Sequence, residues 1–208
     1  MYTPRRWVFL LAGLMLFGAG IALMVRAELG LGPWEVLHQG ISRATGIAIG
    51  TVSILLGLPI MLAWLPLGQR PGVGTLLNIV LVGAVTDIVL QIMPEVHSIL
   101  LRVALLLIGI LMIGIGSGAY LSSAMGAGPR DGLMLGLTKR TGWNIRITRT
   151  LIELSVLLIG VLMGGTIGVG TLAFAFGIGP VVQVALPMFA RLGSPRADVV
   201  AHGVMRDA

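Results

Sequence analysis

The amino-acid sequence predicts an all-α polytopic membrane protein: six transmembrane helices in an inverted 3+3 repeat, with short interfacial or re-entrant helices after the first and fourth spans. Three observations predict it. Six apolar stretches of near-spanning length lie within 208 residues, the two halves of the chain align at one constant offset, and Lys and Arg are shared unevenly between alternate connections. Composition agrees, with 56% hydrophobic residues, 11% charged residues and 31 glycines, and a mean hydropathy of +1.01. Soluble domains carry about a quarter charged residues and about 7% glycine, so an ordinary globular enzyme and a disordered chain are excluded. The net charge of +6 would suggest nucleic acid in a soluble protein. In a membrane chain it reads as orienting charge, and no nucleic-acid partner is expected. With no cysteine in the sequence, disulfides, thiolate metal sites and cysteine nucleophiles are excluded.

The apolar stretches are Trp7–Val25, Ile49–Leu65, Thr75–Met93, Leu101–Leu121, Ile147–Met163 and Thr171–Ala190. About 20 apolar residues in a helix cross a hydrocarbon core of about 30 Å. The second and fifth are short, and Pro59 is placed to kink the second. All are apolar throughout rather than alternating, which favours helices over a barrel. The first, preceded by Arg5 and Arg6, reads as a retained span rather than a signal peptide, because Leu101–Leu121 repeats its glycine pattern within the chain.

The repeat has an offset of 96 and no gap: Arg6 falls on Arg102, Gly13 on Gly109, Gly18 on Gly114 and Gly20 on Gly116. Gly30-Leu31-Gly32-Pro33 falls on Gly126-Ala127-Gly128-Pro129, Glu35 on Asp131, Thr45-Gly46 on Thr141-Gly142, and Gly72-Val73-Gly74-Thr75 on Gly168-Val169-Gly170-Thr171. The units are 1–96 and 97–192, with 193–208 read as a cytoplasmic tail. Three spans per unit force the second unit to enter the membrane the opposite way round. With the N-terminus inside, Arg5, Arg6, Arg70, Arg130, Lys139, Arg140, Arg146, Arg149, Arg191, Arg196 and Arg206 lie inside, against Arg26, Arg43 and Arg102 outside. Eleven against three matches the positive-inside rule and puts both termini in the cytoplasm.

After the first and fourth spans, Pro33–Arg43 and Pro129–Arg140 read as short helices. Proline suits the first helical position, and Glu35 and Asp131 suit the positive helix end. The Gly-x-Gly-Pro-x-acid motifs (Gly30, Gly32, Pro33 and Glu35; Gly126, Gly128, Pro129 and Asp131) have two readings. They cap interfacial helices, or they aim free N–H groups of re-entrant helices at a central anion. Arg130 is correspondingly a phosphate or carboxylate contact or an orienting charge. The Gly72–Thr75 and Gly168–Thr171 turns lack nucleotide-loop spacing and read as threonine caps of the third and sixth helices. Gly114-xxx-Gly118 and Gly160-xxx-Gly164 read as close-packing stripes, and Trp7, Trp34, Trp64 and Trp143 as an aromatic belt.

Together, Gly30-Leu-Gly-Pro-Trp-Glu-Val-Leu-His-Gln-Gly40, Gly68-Gln-Arg-Pro-Gly-Val-Gly-Thr75 and Gly128-Pro-Arg-Asp-Gly-Leu-Met-Leu-Gly136 resemble the YczE branch of the YczE/YyaS/YitT family of bacterial integral membrane proteins. The resemblance covers residues 5–190. It implies a compact protein of the bacterial cytoplasmic (inner) membrane and brings no catalytic or binding residue to carry over. YitT-like relatives often add a soluble C-terminal domain, whereas a polar segment, Arg191–Ala208, follows the last apolar stretch here.

Ionisable groups inside a bilayer are costly and are functional candidates by default. Asp87 lies about 18 Å into the third span at 1.5 Å per residue, and its repeat partner is Gln183. With Asn78, Thr86 and Gln91 they form the candidate solute or ion site, Asp87 being suited to a proton or cation. The alternative is a buried aspartate bound to backbone amides. Glu153, one turn after Arg149, reads as half of an interfacial ion pair. His38, His97 and His202 are far apart, and no metal-binding or nucleophile motif occurs. No catalytic residue, metal or cofactor is expected. A dyad of His38 with Glu35 in a lipid-modifying enzyme is a minor alternative to a merely solvated histidine. The expected function is a secondary transporter for a small solute or ion passing between the repeats. The alternative is a non-transporting scaffold or regulatory partner, docking through Arg130–Arg149. The lipid bilayer is the expected partner, with a small solute, proton or cation, and a homo-oligomer is left open.

Overall fold

The computed structural model describes residues 3–193 as eight α-helices: α1 (Pro4–Ala27), α2 (Pro33–Thr45), α3 (Ile49–Leu62), α4 (Val73–Ile92), α5 (Ile99–Ser122), α6 (Pro129–Thr141), α7 (Ile145–Leu162) and α8 (Val169–Gly193). The segment 194–208, with Arg196, His202 and Arg206 of the expected tail, lies outside the described residues. No strand occurs among the described residues. Helix starts recur at the sequence offset, Pro33 with Pro129, Ile49 with Ile145, and Val73 with Val169.

The matching starts have local causes. Proline opens both α2 and α6, where its missing N–H costs no helical bond. Both helices stop at left-handed glycines, Gly46 and Gly142, whose N–H groups return to the Ser42 and Thr138 carbonyls. Thr75 caps α4 as expected: its Oγ1 accepts the Gly72 N–H at 3.1 Å while its own N–H donates to the Gly72 carbonyl at 3.0 Å. Thr171 accepts the Gly168 N–H in the same way at the start of α8.

α1 and α5 run antiparallel along the centre of the molecule. Arg6 Nε, at the start of α1, donates to the Ser123 carbonyl just past the end of α5. Arg102 Nε, near the start of α5, donates to the Ala27 carbonyl at the end of α1. Between these clamps the helices touch through the repeated glycines. A β-carbon on Gly13 would sit 2.8 Å from the Gly116 carbonyl oxygen, and one on Gly20 2.8 Å from that of Gly109. Four small residues thus let two backbones approach as larger side chains would forbid. α4 flanks α1, with Thr86 Oγ1 donating to the Gly18 carbonyl. α8 flanks α5, where Gly118 meets Ala185. The buried core, from Leu10 and Leu14 to Ile110, Ile113 and Ile178, fills these contacts.

The halves are also stitched at their turns. Gly74 N–H donates to the Met125 carbonyl and Gly170 N–H to the Leu29 carbonyl. Each Gly-Val-Gly-Thr turn therefore docks on the Gly-x-Gly-Pro loop of the other half. Gly30 (φ 113°) and Gly126 (φ 137°) occupy backbone conformations that glycine alone adopts readily.

Four single helices, α1, α4, α5 and α8, are long and apolar enough to cross a membrane, against six expected spans. α3 has 14 residues, about 21 Å at 1.5 Å per residue. It ends soon after Pro59 and reaches spanning length only jointly with α2, from which it is bent by 113°. α7 carries Arg146, Arg149 and Glu153 within its 18 residues, and Arg149 Nε pairs with Glu153 Oε1 on an exposed face as expected. Two further expectations are corrected. Trp7 and Trp143 are exposed, but Trp34 and Trp64 are buried and cannot belong to a belt. Gly160 packs on the Leu37 backbone, but a β-carbon on Gly164 would meet nothing, and this glycine instead turns the chain after α7 at φ 90° with its carbonyl accepting from Arg43.

Candidate functional site

The loops that follow α1 and α5 run back into the protein before the short helices begin. Gly32, the N-cap of α2, packs on Phe174 in the second turn of α8. Gly128, the N-cap of α6, packs on Tyr120 and on Asn78 in the second turn of α4. Both N-termini thus lie inside the bundle, and they meet there.

Arg130, at the second position of α6, bonds the Glu35 carboxylate in the first turn of α2 through its guanidinium and Glu35 Oε1. The guanidinium also lies over the Trp34 ring, 5.2 Å from its centroid. Glu35 is 3% exposed. Its second oxygen, Oε2, is buried without a hydrogen-bond partner and lies against Gly32, where a β-carbon would come within 2.6 Å of it. His38, one turn on, is 4% exposed and has no hydrogen bond among the described residues. The expectation of a solvated histidine is therefore corrected.

The repeat-matched acid, Asp131, accepts from Tyr120 Oη at 2.9 Å. Around Gly128, a β-carbon would sit 3.1 Å from Tyr120 Oη, 3.2 Å from Asp131 Oδ2 and 3.6 Å from Asn78 Nδ2. The structure therefore joins both motifs, Gly30–Glu35 and Gly126–Asp131, with Asn78 in one polar junction. α2 is buried from Trp34 to Gly40 and does not lie on a surface. It packs on α7 and the turn after it, where Gly160 and Gly165 admit its backbone, and Gln39 Oε1 accepts the Thr166 N–H. α6 is anchored by Trp64, whose indole covers Gly132 and donates to the Pro129 carbonyl at 3.0 Å. Arg130, 28% exposed, turns its guanidinium onto Glu35.

The other candidates are dispersed. Asp87 accepts from the Gly50 N–H (2.7 Å), the Thr51 N–H (2.8 Å) and Thr51 Oγ1 (2.8 Å). Its carboxylate caps α3 from the neighbouring helix, the amide-bound alternative kept open above. Asp87 and Gln91 line an open cleft of about 350 Å³ with Gln39, Ser42 and Arg43. Thr86 is buried and bonds the Gly18 and Val82 carbonyls, while Gln183 is exposed on α8. Sequence reasoning found Glu35, Arg130 and Asp131 as motif residues but missed Trp34, Trp64, Tyr120 and Phe174 as their neighbours. The signal for Tyr120 was present, since it is a phenol near the end of a span and six residues before the second motif. No group of three or more metal-ligating side chains occurs among the described residues.

A bundle of apolar helices with glycine-lined contacts and a buried ionic junction is a polytopic helical membrane protein. The chain belongs to DUF6198, a family of unknown function, which matches residues 4–187. It is similar to an uncharacterised protein of Haemophilus influenzae, 44% identical over 183 residues that cover 88% of this chain and 84% of that one. It is also similar to the uncharacterised membrane protein YczE of Bacillus subtilis, 35% identical over 190 residues (90% and 88% of the two chains). The uncharacterised protein YyaS of the same organism is 27% identical over 186 residues (86% and 91%). The expected YczE-branch resemblance is borne out. No solved structure matches the chain.

Proposed function

We infer that this protein is a secondary transporter of the bacterial cytoplasmic membrane. In this reading it is an inverted duplication with both termini inside, and α2 and α6 are re-entrant half-helices entering from opposite faces. The reciprocal Arg6 and Arg102 clamps and the antiparallel α1–α5 contact support inversion, as does the eleven-to-three charge asymmetry.

The observation that carries the reading is the Glu35–Arg130 contact, which joins the N-termini of two repeat-related helices. An ion pair with a buried member is a poor device for stability, since burying the Glu35 carboxylate costs several kcal/mol of desolvation and an apolar contact serves as well or better. A scaffold would be held equally by apolar contacts at this point. A transporter needs ionisable groups where half-helices from the two repeats meet. Asp87, which the sequence offered as the central carboxyl, serves here to hold α3 in place.

Reconstitution tests this reading. Proteoliposomes of the full chain are assayed for uptake of labelled carboxylates, amino acids, sugars and monovalent cations against protein-free vesicles, with and without a proton gradient. Uptake of one class that falls in Glu35→Gln supports transport. Folded, inserted protein that moves none of the four classes would count against it.

A further inference from the structure

Resting on the transporter reading, we propose that Glu35 is a tethered stand-in for the solute. Arg130 is then the binding site for a small carboxylate anion, carried together with one proton. The carboxylate now on Arg130 displays the ligand chemistry the site accepts. A guanidinium offers a planar fork of donors that matches a carboxylate edge to edge, and the Trp34 ring beneath fixes its plane. The pairing uses one Glu35 oxygen and leaves Oε2 buried and without a donor. A half-satisfied carboxylate is exchangeable for one that takes both donors. Arg130 and Glu35 sit in the first turns of α6 and α2, and helix N-termini favour an anion.

The charges give the exchange its coupling. Facing Glu35 are His38 on its own helix and Arg130 on α6, while the next residue, Asp131, is bonded to Tyr120 of α5. α8 presents uncharged Phe174, and α7 with the turn after it meets α2 through Gly160, Met163 and Gly165. An incoming anion beside an ionised Glu35 would leave two negative groups on one guanidinium. A proton placed on Oε2 removes the Glu35 charge, the neutral carboxyl releases Arg130, and the anion takes its place. Net charge of the site is unchanged before and after. On the far side the anion leaves first, the proton leaves Oε2, and Glu35 closes again on Arg130. One anion and one proton cross per cycle, no net charge moves, and the only bond made and broken is the carboxyl O–H. Gly32 and Phe174 close tightly on Glu35, a β-carbon on Gly32 falling within 2.6 Å of Oε2 and 2.8 Å of the Phe174 ring, so the place the Glu35 carboxylate vacates fits only a short carboxylate.

The test is calorimetric titration of the detergent-purified full chain with sodium acetate, against sodium chloride at equal ionic strength. Wild type needs no substitution: its acetate affinity rises about tenfold for each pH unit lowered, the slope for one proton taken up with each anion. Glu35→Gln, which mimics the protonated carboxyl, binds acetate at least about tenfold tighter than wild type near pH 8 and loses the slope. His38→Gln keeps the slope, and Arg130→Ala in the Glu35→Gln background abolishes binding. No acetate binding to wild type at low pH, a Glu35→Gln protein that keeps the slope, or a His38→Gln protein that loses it overturns the proposal. Acetate binding with this pattern but without acetate uptake into proteoliposomes leaves the anion site standing and defeats the transport reading instead.

Discussion

Arg130 in the first turn of α6 bonds Glu35 in the first turn of α2, 95 residues away. Each partner belongs to a different copy of one sequence motif, and each lies within two residues of the proline that starts its helix. The ion pair is therefore a contact between repeats, made where both backbones present unpaired N–H groups.

Breaking the pair from one side leaves a buried charge. Arg130→Ala should destabilise the folded chain by about 3–5 kcal/mol, and Glu35→Gln/Arg130→Gln by much less. Thermal unfolding in detergent checks this, and an Arg130→Ala protein as stable as the double variant would contradict it.

Asp87 is predicted to act on α3 rather than on the solute. Asp87→Ala removes the acceptor of two N–H groups and should cost about 1–2 kcal/mol, while Asp87→Asn keeps a carbonyl acceptor and should cost less. Any uptake by the Asn variant should follow its folded fraction. Uptake lost from fully folded Asp87→Asn would return the carboxyl to the centre of the mechanism.

The α1–α5 contact sets how near the halves come. Gly13→Ala and Gly116→Ala should each cost roughly 1–3 kcal/mol by overpacking, because each β-carbon meets backbone rather than a movable side chain. The two glycines touch, so the double variant should depart from additivity. Additive, sub-kilocalorie losses would mean that the approach is looser than drawn.

Trp64 fixes α6 through one hydrogen bond and the face it lays on Gly132. Trp64→Phe keeps most of the ring and removes the N–H donor, for an expected loss of about 1–3 kcal/mol. Unchanged stability would show that the Pro129 carbonyl finds another donor.

What the sequence made legible was local or repeated. Pro33 and Pro129 mark helix starts and Gly46 and Gly142 mark helix ends, because each acts through its own φ or missing N–H. Gly13, Gly20, Gly109 and Gly116 stood out because one offset relates them. The inward course of Arg130 was not legible, since a basic residue beside a motif is as readily an orienting charge, and its partner lies in the other half. Trp34 and Trp64 read as belt residues by position alone, while their burial depends on Arg130 and Gly132, which only the folded arrangement brings near. Asp87 was read by depth, and depth does not reveal that the start of α3 sits beside it.

The central claim is that matching helices enter from opposite faces and meet at Glu35–Arg130. Ala44 and Arg140 hold matching, exposed positions near the ends of α2 and α6, and the chain has no native cysteine. Labelling of Ala44→Cys and Arg140→Cys with a membrane-impermeant maleimide in intact cells is the direct test. The account predicts that Ala44→Cys reacts at once and Arg140→Cys only after permeabilisation. Reaction of both from the same side would contradict it.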